Sequence, residues 1–184
     1  MIHETVPRYG GVAIVLHWLI ALLIATNFIL VWTAEDLPEA QQMQQIALHK
    51  SVGISVLILS VIRILWRIAH RPPPLQRSLQ PWERVLARAV HTLFYVAMIG
   101  IPLAGWAMVS ARGPVSVFGL FSMPALPVPT TKAAGDTFFG IHENLATLFL
   151  VLAGIHVLGA LKHQFLDRDG TLGRMIPFLG RPRV

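Results

Sequence analysis

The chain has 184 residues, 54% hydrophobic and only 13% charged, with no cysteine, a formal net charge of +6 and a pI of about 10.8. Soluble domains carry about 25% charged residues, so this composition excludes an ordinary water-soluble globule. The missing cysteines exclude disulfides, thiol catalysis and Cys-held clusters or cofactors, which leaves histidine and oxygen as ligands for any metal.

Four apolar segments follow in chain order, predicted as helices over residues 12–33, 46–69, 85–110 and 140–165. A bilayer core needs about 20 residues of helix, so the first, third and fourth segments qualify and the second is weaker, with only 12 residues between Lys50 and Arg63. The first carries no charge from Val12 to Trp32. It is too long for the apolar region of a signal peptide and lacks a small-residue cleavage site, so it is expected to be a retained helix. Residues 33–45 are polar and Gln-rich and read as a linker. The second segment has Lys50 near its start and Arg63 and Arg67 near its end, where long cationic side chains can snorkel to headgroups. Residues 70–84 hold the Arg71-Pro72-Pro73-Pro74 break. The third segment starts with Arg88 and is expected to kink at Pro102. Residues 111–139 are rich in Pro and Gly and predict a structured loop. The expected fold class is all-α: an integral membrane four-helix bundle forming one domain over residues 1–184.

Charge orients the bundle. One set of connections and termini carries Arg8, Arg63, Arg67, Arg71, Arg77, Arg84, Arg88, Lys162, Arg168, Arg174, Arg181 and Arg183; the other carries Lys50, Arg112 and Lys132. Twelve cations against three predict both termini inside, by the positive-inside rule. The same clustering makes nucleic acid an unsuitable partner and membrane lipid the expected one. Trp18, Trp32, Trp66, Trp82 and Trp106 fall near expected interfaces and suit an aromatic belt.

Depth then sorts the histidines. His17 lies about 8 Å below the inner face, from the 1.5 Å rise per residue. His142 and His156 are 14 residues apart on the fourth helix, close to four whole turns, so they share a face. His49 opens the second helix at the outer end. The result is an outer pair, His49 with His142, and an inner pair, His17 with His156. Neutral imidazoles from facing helices are the axial ligands that hold a haem iron six-coordinate, and small residues such as Gly53, Ala153, Gly154 and Gly159 leave room beside them. His91 rivals the inner pair by depth, but is read as an interfacial hydrogen-bonding histidine. His163, two turns past His156, can bond a quinone carbonyl, a haem propionate or only headgroups. His70 and His3 are expected at the surface.

These residues resemble the bacterial cytochrome b561 family. The resemblance rests on Leu16-His17-Trp18-Leu19, His49-Lys50-Ser51-Val52-Gly53 and His142-Glu143-Asn144-Leu145-Ala146, continues through Gly154-Ile155-His156 and Lys162-His163, and closes on Thr171-Leu172-Gly173-Arg174-Met175. It implies two haem b groups, with His17 and His156 on one and His49 and His142 on the other. It also implies an inner-membrane, multi-pass location. One type of member, the superoxide oxidase, passes electrons from superoxide at the outer, periplasmic face to ubiquinone, and there the histidine matching His163 lies near the quinone.

The outer face does not favour an anionic donor. Lys50, Arg112 and Lys132 are outnumbered there by Glu35, Asp36, Glu39, Asp136 and Glu143, formally −2, whereas a positive surface steers anions in. Superoxide, another one-electron periplasmic donor, and a carrier or membrane-anchor role beside a partner dehydrogenase or hydrogenase therefore all remain open. A haem-free transporter is disfavoured, because the first helix offers only Thr26 and Asn27 besides His17 as polar lining.

Overall fold

The structure, a computed structural model, describes residues 8–75 and 79–179. Four long helices, α1 (Gly11–Ala34), α2 (Glu39–Ala69), α3 (Pro81–Ser110) and α4 (Lys132–Lys162), run alternately up and down. Each is long and apolar enough to cross a membrane. Both ends of the described chain lie at one end of the bundle, here the terminal end. The α1–α2 turn and a small β-hairpin mark the other, the hairpin end. His3, Arg77, Arg181 and Arg183, which entered the sequence reading, lie outside the described residues.

Three helices begin earlier than expected, α3 at Pro81 rather than 85 and the other two by more. The polar run before residue 46 is helix from Glu39 onward rather than linker. Its Glu, Ala, Gln and Met residues are strong helix formers, and Glu39 in the first turn complements the helix dipole. Thr33 donates to Ile29 O at 2.7 Å, and its Oγ1 lies 3.1 Å from Gln45 Oε1, bringing the end of α1 against the start of α2. Helix α4 likewise starts at Lys132 instead of 140, because Thr131 caps it by accepting from the Ala134 N–H at 3.2 Å. At the start of α3, Gln80 and Glu83 form a capping box with Pro81 in the first turn.

The expected loop after α3 contains strands β1 (Val115–Val117) and β2 (Phe121–Met123), paired antiparallel with Val117 opposite Phe121. The all-α expectation misses this one small element. Phe118 and Gly119 make the turn with φ of 52° and 70°, and the Phe118 conformation is one that non-glycine residues seldom adopt. Three bonds fasten the loop to the bundle. Ser51 Oγ accepts from the Phe118 N–H at 2.9 Å, Ser110 Oγ accepts from the Leu126 N–H at 2.9 Å, and Trp106 Nε1 donates to Pro124 O at 3.0 Å. Val115 and Val117 bury their side chains with Ile54, packed by Trp106, Val109 and Met123.

Packing is sequential: α1 on α2, α2 on α3, α3 on α4, with no extensive backbone packing between α4 and α1. The mid-height core takes one buried residue from each helix, Ile20, Val56, Met98 and Phe149. Phe149 is the only buried residue of α4. Outward faces present Val15, Leu22, Leu65, Leu148, Val151 and Leu158, exposed as lipid-facing residues are. At the terminal end Arg174, counted above among the inner-face cations, is buried. Its Nη2 donates to Pro74 O at 2.7 Å and its guanidinium lies over the Tyr9 ring at 5.5 Å, while Trp18 Nε1 donates to Met175 O at 3.0 Å. The C-terminal segment thereby clasps the start of α1 and the α2–α3 connection.

Candidate functional site: two histidine layers

Helix α4 carries His142, Phe149 and His156, and His163 follows directly after its end, all at seven-residue intervals. Seven residues are close to two turns, so the four drift only about 20° per interval and share one face. Facing that stripe are His49 of α2 at the hairpin end and His17 of α1 at the terminal end.

In the hairpin-end layer the His49 and His142 rings are 6.0 Å apart, centroid to centroid, at 86°. Each is tied to a neighbouring helix. His142 Nδ1 lies 2.8 Å from Ile101 O and His49 Nδ1 lies 3.3 Å from Asn27 O. A carbonyl oxygen has no proton to give, so each Nδ1 carries the hydrogen and each Nε2 keeps its lone pair for a metal. Gly105 of α3 makes the His142 position possible: a Cβ there would meet Nδ1 at 3.0 Å and Cε1 at 3.1 Å. The sequence reading passed over Gly105. Its signal was a glycine inside an apolar helix, a substitution that costs about 1 kcal/mol relative to Ala and so usually has a local reason.

In the terminal-end layer the His17 and His156 rings are 6.3 Å apart at 73°. His91 of α3 also approaches His156, at 5.7 Å and 81°, with Phe94 at 5.3 Å. His91 Nδ1 donates to Ala87 O within its own helix. The sequence reading set His91 aside, and its ring distance alone does not. The helix packing separates the candidates. Helices α3 and α4 are closely packed, with Phe94 on Phe149 at 5.2 Å, whereas the backbones of α4 and α1 lack such close packing where the His17–His156 approach joins them.

Both pairs fit one metal between them. A metal–imidazole bond is about 2 Å and the ring centre lies about 1.1 Å further on, so two imidazoles on opposite sides of one metal stand about 6 Å apart. Open space flanks the stripe: a Cβ on Gly140, Gly154 or Gly159 would meet nothing within 4 Å. The donors are all neutral nitrogen, which suits a haem iron.

Beyond this layer, α4 passes into a π-helical turn, His163–Asp167, of a kind frequent at functional sites. His163 Nδ1 lies 2.8 Å from Asp167 Oδ2 and 3.1 Å from Asp169 Oδ2, although neither oxygen lines up with its N–H. Lys162 Nζ sits between Glu83 Oε1 at 2.6 Å and Asp167 Oδ2 at 2.8 Å. Glu83, His163 and Asp167 present ligand atoms within 4.8 Å of one another, but the Lys162 ammonium is the cation that their carboxylates hold. His70 is exposed, as expected, and stacks on Trp66 at 3.7 Å.

A family model described as prokaryotic cytochrome b561 matches residues 8–178. The chain belongs to the prokaryotic cytochrome b561 family. It is 37% identical over 176 residues to cytochrome b561 homolog 2 of Escherichia coli K12, covering 94% of this chain and 93% of that one. It is 33% identical over 175 residues to the probable superoxide oxidase CybB of Yersinia pestis, at 92% and 96% coverage. It is 30% identical over 183 residues to cytochrome b562 of Cereibacter sphaeroides, at 96% and 98% coverage. This cytochrome b561 is therefore an electron-transfer protein of a bacterial membrane, and its family is one that takes haem b.

Proposed function

We propose that this cytochrome b561 holds two haem b groups, one between His17 and His156 and one between His49 and His142. In this reading the termini face the cytoplasm across the inner membrane, as the twelve-to-three charge bias favours. Electrons enter at the hairpin end, from superoxide or another one-electron donor, and leave to ubiquinone at the terminal end. The observation that carries the proposal is the pair of cross-helix histidine couples, 6.0 and 6.3 Å apart, at the spacing of two ligands on one metal.

Bound haem supplies a one-electron centre at each layer. The chain's own residues do the rest. Ile101 O and Asn27 O hold the hairpin-end rings with Nε2 free for the metal. Between the layers, about 21 Å apart along α4 from the 1.5 Å rise, Ile20, Val56, Met98 and Phe149 exclude water. At the terminal end His163 stands beside Asp167 and Asp169, and Ile14, Trp18, Met175, Ile176 and Phe178 line an apolar cleft of about 390 Å3 suited to an isoprenoid tail. With superoxide as donor, two superoxide anions give two electrons and become two O2. One ubiquinone takes those electrons and two protons and becomes ubiquinol.

A second reading places a partner protein at the hairpin end in place of a small donor. The formal −2 of that face favours it, as do the exposed Leu120 and Phe121 near the hairpin turn. One experiment addresses both. Purified protein should show a reduced b-type spectrum with two haems per chain, and mixing the oxidised protein with superoxide should reduce them and then, with ubiquinone present, reoxidise them. A chain without haem overturns the proposal. Haems that superoxide leaves oxidised at low salt shift the donor to a partner protein.

A further inference from the structure

Helix α2 turns a regular stripe toward the bundle interior: His49, Gly53, Val56, Ser60 and Arg63, spaced alternately by four and three residues. Val56 belongs to the mid-height core and Ser60 is fully buried, so Arg63 is the next inward position. Its neighbours Ile62 and Leu65, at 45% and 60% exposure, face outward. A snorkelling arginine would share their side. Arg63 is instead half-buried and, 14 residues past His49 on the same face, lies about 21 Å further along the helix, at the depth of the terminal-end layer.

Among the described residues no carboxylate answers the Arg63 charge. Among the described residues Arg63 makes no ion pair or hydrogen bond. The described acidic groups at this end are engaged elsewhere: Glu83 and Asp167 hold Lys162, and Asp169 accepts from the Thr171 N–H at 2.9 Å. An arginine inside the bilayer is costly and is kept where it serves a site. Arg67 lies over the Tyr95 ring at 5.6 Å. At the hairpin-end layer Lys50, also half-buried, follows His49, but Glu143 follows His142 with the opposite sign, so the charges next to those two rings sum to zero.

We propose that Arg63 is a positioning charge for the electron, making the terminal-end layer the higher-potential of the two and so setting the direction of transfer toward the quinone end. This rests on the haem assignment above. Adding one electron to a centre between His17 and His156 lowers its charge by one. A fixed cation beside it in a medium of low dielectric favours that reduced form, and the attraction is screened far less than at a water boundary.

The test is an optical redox titration of the purified holoprotein, with the component lost in His17→Ala taken as the terminal-end haem. In the wild type that component should have the higher midpoint. Arg63→Gln should move it alone to lower potential, Arg63→Lys should retain most of the difference, and Arg67→Gln should shift it less. A wild-type terminal-end component that is the lower of the two overturns the inference even where Arg63→Gln does not assemble. So do midpoints unmoved in Arg63→Gln, or a shift confined to the other component. Wild-type protein without haem overturns the ligand assignment instead.

Discussion

The two histidine layers place similar pairs of rings at similar distances and support them differently. At the hairpin end both rings are anchored through Nδ1 to backbone carbonyls of adjacent helices, Gly105 leaves room for one of them, and Ser51 fastens the hairpin near His49. At the terminal end neither His17 nor His156 has a ring hydrogen bond among the described residues. Their surroundings are His91, Phe94 and Trp18, with the charge of Arg63 at the same depth. One layer is oriented by geometry and the other is biased by charge. In the direction of transfer proposed above, geometric anchoring would suit the layer that meets the donor, since each ring is already set, and charge would suit the layer that hands the electron on.

The largest effect expected from this difference is at Gly105. A leucine there cannot share space with a ring already 3.0 Å from the first added carbon. Gly105→Leu should therefore remove the hairpin-end haem and spare the other, halving the haem-to-protein ratio. Retention of both haems would show that His142 has another way to its ligand position. Gly105→Ala adds only that one carbon. Overpacking of this kind costs about 1–3 kcal/mol, and here it should appear as a changed low-spin electron paramagnetic resonance signal from one haem, with the second signal unchanged.

His91→Ala probes the other layer. With His17 and His156 as the ligands, the variant should keep two haems and lose about 1 kcal/mol of stability with one hydrogen bond, read from the thermal midpoint. A fall to one haem would make His91 the ligand and erase the distinction between the less closely packed α1–α4 side and the packed α3–α4 side. The smallest effect is expected at Ser51. Ser51→Ala leaves the Phe118 N–H without its acceptor, at a cost of about 1 kcal/mol. Amide exchange should quicken in the hairpin and stay unchanged at the terminal end. Equal changes at both ends would mean that the hairpin is not a local support.

Much of this was legible in the chain itself. Helical rise is constant, so once four apolar runs alternate in direction, the depths of His17, His49, His142 and His156 follow from counting residues. That arithmetic pairs them without knowledge of packing, and local pattern likewise marked the long apolar helices and the Pro and Gly of the loop after α3. Where α2 and α4 begin was less legible. Composition made the Gln-rich stretch look like a linker, while its helix propensity pointed the other way. The tertiary structure decided what depends on which faces meet. It brought Ile101 O to His142, set Gly105 under that ring, turned Arg63 inward, and buried Arg174 as a clasp. Such facts join residues far apart in sequence, and a one-dimensional pattern carries helix period and depth but not the rotation of one helix against the next.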